Sequence, residues 1–362
     1  MKANLNLGSV SGIKIKVHWT FIFIILWVVF AELKQGGNTQ SVLYNVAFIL
    51  VVFVCVILHE LGHALTAKQF GINTKKITLL PIGGLASLDK IPESPRQELI
   101  VTIAGPLVNV AIALLLYFFI QFENYSNLNL DEAFIVLKKL TLQNFIFYLF
   151  VVNIGLVIFN VIPAFPMDGG RVLRALLSLR MNRVKATKIA ASIGQFIAAF
   201  FLLFGLLYNP FLVFIALFIF LGAYGENQMV QHMALLKDHN VKDAMLTNIT
   251  TLQPETTLDD ILKLIISGTE TNFIVTKDDA VLGIVYHKTI IEYSSNRNKL
   301  AKDIMETDFK TLNTSDNLKS TYASIMGKKQ MFFPVLENEK LIGAIDHTNL
   351  NEFIMLQTKL VY

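Results

Sequence analysis

A single cysteine, Cys55, stands in a chain of 362 residues, which excludes an intramolecular disulfide framework and any zinc site built from thiolates alone. It lies in an apolar run and reads as a small filler. Charge is scarce too: Asp, Glu, Lys and Arg together make 16% of the chain, where soluble domains carry about 25%. The formal net charge is only +4 and no basic run occurs, so nucleic acid is excluded as a partner. A secretory leader is not expected in MKANLNLGSVSGIKIKVHW, whose first long apolar run comes late and lacks a small-residue cleavage site.

Apolar residues fill the gap. They make 54% of the chain, and the mean hydropathy is +0.54. They concentrate before Asn227, whereas the sequence beyond Asn240 has the mixed character of a soluble α/β domain. The expectation is a polytopic α-helical membrane domain over 1–227, a linker over 228–240 and a soluble α/β domain over 241–362. About six transmembrane helices are expected, at 17–31, 43–66, 99–121, 142–162, 189–208 and 210–224.

Lysine and arginine set the orientation. Lys2, Lys14 and Lys16 precede the first span. Lys68, Lys75, Lys76, Lys90 and Arg96 lie between the second and third, and Arg171, Arg174, Arg180, Arg183, Lys185 and Lys188 between the fourth and fifth. The opposite loops carry Lys34, then Glu123, Asp131 and Glu132, with Lys138 and Lys139 as exceptions. This pattern predicts a multi-pass protein of the cell membrane, of the bacterial inner-membrane type, with both termini cytoplasmic.

Within the second span stands His59-Glu60-Leu61-Gly62-His63. HExxH on a helix puts two imidazoles on one face, one turn apart, with a carboxylate beside them as general base. The flank 51–58 reads VVFVCVIL, so no soluble face is on offer. Ionisable groups near a bilayer centre cost about 2.5–3.5 kcal/mol each on insertion scales, and such residues mark function. Two imidazoles leave a catalytic zinc short of a ligand. The best third donor is Asp168, in NVIPAFPMDGGR (160–171), where two prolines break the fourth span and two glycines permit tight turning.

HELGH in span two with NxxPxxPxDGGR at the end of span four resembles the site-2 protease family of intramembrane zinc metalloproteases. GIKIKVHWT (12–20), PIGGLA (81–86) and AGPLVN (104–109) are similar to its supporting patterns. The resemblance covers nearly the whole chain. It implies one zinc per chain held by His59, His63 and Asp168, with Glu60 taking a proton from water during peptide hydrolysis. It implies a transmembrane protein as substrate, cut near the cytoplasmic face in regulated intramembrane proteolysis. Asn160 is implied as a substrate-binding residue; equally, it reads as a helix-breaking Asn paired with backbone freed by Pro163. The segment 75–88 reads as strand, turn and strand, which either pairs with an extended substrate or packs the helix ends. Gly105 and Asn109 read as small residues that allow close helix packing; Arg171 and Arg174 either pair with Asp168 or anchor the helix to headgroups, and anchoring is the reading taken.

The C-terminal part repeats itself. VKDAM (241–245) recurs as AKDIM (301–305), and GIV (283–285) as GAI (343–345). The copies, about 241–296 and 301–356, resemble a tandem pair of cystathionine-β-synthase-type (CBS) domains. Such pairs commonly bind adenosine-containing ligands or dimerise, so the resemblance implies regulation and a homodimer contact. Adenine nucleotide binding is nonetheless not expected. The positions usually holding Ser/Thr-x-x-Asp carry Tyr286 and Thr289 in one copy, and Asp346 and Asn349 in the other. Two other functions compete with a protease: a CBS-gated transporter or channel, and a catalytically dead scaffold. The first needs ionisable groups spread through several spans; the intact His59, Glu60, His63 and Asp168 set argues against the second.

Overall fold

A computed structural model describes residues 4–81, 83–88, 94–121, 140–278, 280–327 and 330–361. Lys2, Lys90, Glu123, Asp131, Glu132, Lys138 and Lys139, used above for orientation, lie outside the described residues. The chain divides into two compact units, Met1–Asn227 and Gln228–Tyr362.

The first unit opens with strands β1 (Asn4–Val10) and β2 (Ile13–His18), followed by helices α1 (Phe21–Lys34) and α2 (Thr39–Gln69). Strands β3 (Thr74–Leu80) and β4 (Gly83–Leu88) come next, then α3 (Pro95–Tyr117), α4 (Leu142–Val161), α5 (Asp168–Ser178), α6 (Arg183–Leu207) and α7 (Pro210–Leu235). Among the described residues five helices, α2, α3, α4, α6 and α7, are long and apolar enough to cross a membrane. The expected first span departs from this. Val17 and His18 are drawn into β2, and α1 keeps 14 residues, about 21 Å of helix against about 30 Å of hydrocarbon. Polar caps fix where the long helices begin. Asn38 Oδ1 accepts from the Ser41 amide at 2.9 Å before α2, and Asn182 Oδ1 accepts from Lys185 at 2.9 Å before α6.

The strands form one sheet in the order β1-β2-β3-β4. β1–β2 and β3–β4 are antiparallel hairpins joined by a parallel β2–β3 pair. The alternation Ile13-Lys14-Ile15-Lys16 buries the isoleucines and leaves the lysines outward. Ile13 and Ile77 pack with Leu61 and Ala64 of α2, so the sheet lies on the helix that bears HExxH.

Opposite charges gather at one end of the helices. Arg174 of α5 pairs with Glu98 in the first turn of α3 and with Glu226 of α7, and Arg183 at the start of α6 reaches Glu98 at 3.2 Å. Arg174 is 1% exposed and its guanidinium lies 5.0 Å from the centre of the Phe165 ring. The anchor reading of Arg174 is therefore wrong: its charge faces two carboxylates inside the protein. Arg171 is exposed.

The second unit holds two sheets of like order, β5 (Thr251–Leu252), β6 (Phe273–Lys277), β7 (Ala280–Val285), and β8 (Leu312–Asn313), β9 (Phe332–Glu337), β10 (Lys340–Asp346). Helices α8 (Leu258–Ser267) and α9 (His287–Tyr293) belong to the first copy; α10 (Ala301–Ile304), α11 (Leu318–Ile325) and α12 (His347–Val361) follow. The lead-in segments are exchanged. Leu246 bridges to Ala344 of the second copy, and Glu306 to Ile284 of the first. Val241 and Ala244 accordingly pack with Leu318, Phe333 and Ile345, while Ala301 and Ile304 pack with Leu258, Phe273 and Val285.

Candidate metal centre

His59 and His63, one turn apart on α2, face Asp168, the first residue of α5. All three are buried. His59 Nε2 and His63 Nε2 are 3.1 Å apart, and Asp168 Oδ2 lies 3.2 and 3.1 Å from them. The sequence-predicted donors are thus brought together across 105 positions.

The other ring nitrogens decide what these atoms offer. His63 Nδ1 lies 2.8 Å from the Val101 carbonyl oxygen, and His59 Nδ1 lies 2.6 Å from Asn109 Oδ1. A carbonyl only accepts, so each Nδ1 carries the proton, and in the neutral ring each Nε2 is left with a bare lone pair. Two lone pairs and a carboxylate oxygen then converge, a donor set that suits a cation. Donors about 2.0–2.1 Å from one tetrahedral zinc lie about 3.3 Å apart, close to the spacing seen here. The residues fit the metal.

Asn109 was read from sequence as a packing residue, and that reading is corrected. It is fully buried, orients His59 through Oδ1, and donates through Nδ2 to Asn153 Oδ1 at 2.9 Å. Asn153 in turn donates to the Leu149 carbonyl at 2.8 Å. This chain from α2 through α3 to α4 is the outer support that metal-ligating histidines need. The signal in the sequence was a lone amide, Asn109, in the otherwise apolar stretch 103–116 of α3. Gly105 does allow close packing, but against the site itself: a Cβ there would lie 2.8 Å from His59 Nε2 and closer still to the His63 ring.

The DGG turn is equally tight. A side chain at Gly169 would overlap the Ile162 carbonyl, and one at Gly170 would meet the backbone of Ala164 and Phe165. Only glycine lets the chain fold back so that α5 begins with Asp168 at the histidines. Glu60 is half-buried and lies against β4: a Cβ on Gly84 would come 2.6 Å from Glu60 Cγ. Asn160 is not joined to the three donors by any hydrogen bond described. Its amide donates to the Leu156 carbonyl of its own helix at 2.9 Å.

Known proteins resemble this chain in both of its units. The sequence model of Peptidase family M50 matches residues 47–205, and that of the CBS domain matches residues 241–296. The zinc metalloprotease MJ0392 of Methanocaldococcus jannaschii is 34% identical over 351 residues, 97% of this chain and 96% of that protein. Stage IV sporulation protein FB of Bacillus subtilis is 28% identical over 176 residues, 48% of this chain and 52% of that protein. The solved site-2 protease from Methanocaldococcus jannaschii aligns with a TM-score of 0.45 at 38% identity, covering 62% of this chain and 95% of that one. The archaeal likeness runs nearly end to end, through the helices that carry HExxH and DGG and on into the C-terminal unit. This multi-pass membrane chain therefore belongs to Peptidase family M50, as a zinc metalloprotease of the site-2 type with CBS sequence in its C-terminal unit.

Proposed function

We propose that the chain hydrolyses a peptide bond in or near a transmembrane helix of a membrane-protein substrate, as the endopeptidase step of regulated intramembrane proteolysis. The observation that carries this is the convergence of two imidazole Nε2 atoms and a carboxylate oxygen among helices apolar enough to cross a membrane. His59, His63 and Asp168 would hold one zinc per chain. Bound there, zinc supplies a water acidic enough to attack at neutral pH and a Lewis acid for the scissile carbonyl.

The chain's own residues do the rest. Glu60, free of the ligand set, takes the proton of the attacking water on a carboxylate oxygen and delivers it to the leaving amine nitrogen. The β3–β4 hairpin matches the expected strand-turn-strand, and β4 is the edge of its sheet among the described residues. An extended substrate pairing with β4 would lie along Gly84 and so pass Glu60. Asn160 is assigned to substrate binding on the strength of the NxxPxxPxDGG resemblance alone. The positive-inside pattern puts this end of α2, and both termini, in the cytoplasm of a cell membrane.

The test is metal and cleavage together. Purified protein is expected to carry about one zinc per chain. A reconstituted transmembrane substrate should be cut by it, chelation should stop cleavage, and added zinc should restore it. Full-rate cleavage by metal-free protein would defeat the proposal.

The C-terminal unit, in the same reading, regulates the protease or pairs two copies of it without holding an adenine nucleotide. Asn349 is already engaged: its Oδ1 accepts from the Asp346 amide at 2.7 Å, and its Nδ2 donates to the Ala244 carbonyl. Tyr286 packs between the two sheets, and burial beside Glu306 pushes its phenol up to about 12, so the ring stays neutral where a small hydroxyl residue is usual. Titration of ATP, ADP or AMP into the full-length protein is expected to give no micromolar binding; a micromolar isotherm for any of them would make nucleotide sensing the regulatory input instead.

A further inference from the structure

Strands β2 and β3 run side by side with Lys14 opposite Lys76. With the β1–β2 turn and the last turn of α2 they wall a pocket of about 580 Å³. Among the described residues its lining includes Lys14, Lys16, Lys68 and Lys76, and no carboxylate. Like charges gathered in one concavity repel one another, and an anion seated among them removes that repulsion. Lys68 Nζ donates to the Ser11 carbonyl at 3.2 Å, tying the helix end to the turn across the pocket.

A second observation points to a ligand. Thr74 lines the same pocket, is 7% exposed, and its Oγ1 is buried without a hydrogen-bond partner. Buried hydroxyls in native proteins are almost always satisfied, so this one invites a partner from outside the chain. A hydroxyl donor beside a set of ammonium groups is the chemistry that receives a phosphate oxygen.

Depth selects the source of the phosphate. The 31 residues of α2 span about 46 Å, whereas the hydrocarbon core is about 30 Å and the bilayer with headgroups about 40–45 Å. The last turn of α2, with Lys68, therefore reaches the headgroup layer. Trp19, directly after β2, is 56% exposed, at the level where tryptophans collect.

We propose that this pocket binds the phosphate of an anionic phospholipid headgroup. The pocket wall is also the support of the catalytic helix: Ile13 of β2 and Ile77 of β3 pack on Leu61 and Ala64, on either side of His63. A headgroup bridging β2, β3 and α2 would hold the sheet whose edge borders Glu60. Lipid binding itself does not depend on the proposed proteolysis and is read separately from it.

The experiment uses full-length protein in detergent, with bound lipid counted by native mass spectrometry after incubation with equimolar phosphatidylglycerol and phosphatidylcholine. Wild type is expected to retain phosphatidylglycerol selectively. The Lys14→Gln/Lys76→Gln double variant should weaken that retention about tenfold, and Thr74→Val should weaken it less. Lys185→Gln/Lys188→Gln removes the same charge from exposed positions on α6 and should change nothing. Equal losses in the two double variants would mean unspecific surface attraction and overturn the proposal. So would binding of inorganic phosphate with no selective retention of lipid, which would make the site one for a soluble anion.

Discussion

Glu60→Gln is expected to abolish cleavage of a transmembrane substrate while leaving zinc content at about one per chain. The two readouts separate because Glu60 stands outside the ligand set. The convergent atoms are His59 Nε2, His63 Nε2 and Asp168 Oδ2, whereas the Glu60 side chain lies against Gly84 of β4. Glutamine keeps the shape and that contact, yet cannot take a proton from water. Loss of a positioned general base lowers rates by about 10²–10⁴-fold. His63→Ala, by contrast, should lose metal and activity together. Cleavage by Glu60→Gln at near wild-type rate would remove Glu60 from the mechanism.

Gly105→Ala should empty the site without touching any ligand. The added methyl would fall 2.8 Å from His59 Nε2 and overlap the His63 ring. Neither ring can turn aside cheaply, because each is held at Nδ1, one by Asn109 and the other by the Val101 carbonyl. Either α3 moves away from α2, or an imidazole leaves its place. Disturbing ligand orientation of this kind costs about 10–100-fold in metal affinity, and displacing a ligand costs more. Zinc content by elemental analysis should fall well below one per chain, and cleavage should go with it. Gly155→Ala is the control, since a Cβ there meets nothing within 4 Å. Full zinc occupancy in Gly105→Ala would show that the rings have slack the structure does not show.

What could be read beforehand follows from how far each feature reaches along the chain. HExxH is a local pattern, fixed by the helical repeat, and the DGG turn announces itself through prolines and glycines. The spacing of hydrophobic runs gave α2, α3 and α4 to within four residues at each end, but α6 begins six residues earlier and α7 runs eleven residues further than expected. The β1–β2 hairpin went unseen, although Ile13-Lys14-Ile15-Lys16 alternates with the period of a strand, because the apolar run after it dominated. Pairings over long separations left no local mark. Asn109 meets His59 across 50 positions and Arg174 meets Glu98 across 76, so one was read as a spacer and the other as an anchor. The exchange of lead-in segments between the two C-terminal copies was hidden for the opposite reason: linear repetition suggests that each copy folds on its own segment.

The charge cluster joining Glu98, Arg174, Glu226 and Arg183 sets a rule for how this sequence can drift. Removing one member of a buried ion group strands its partners, at about 3–5 kcal/mol, whereas replacing the whole group with well-packed apolar residues is often neutral. Single replacements at Glu98 or Arg174 thus pass through a barrier that joint replacements avoid. These positions, on four separate helices, will be inherited as one character, kept together or exchanged together. Since α5 begins with Asp168, the inheritance of a metal ligand is tied to charges that never touch the metal.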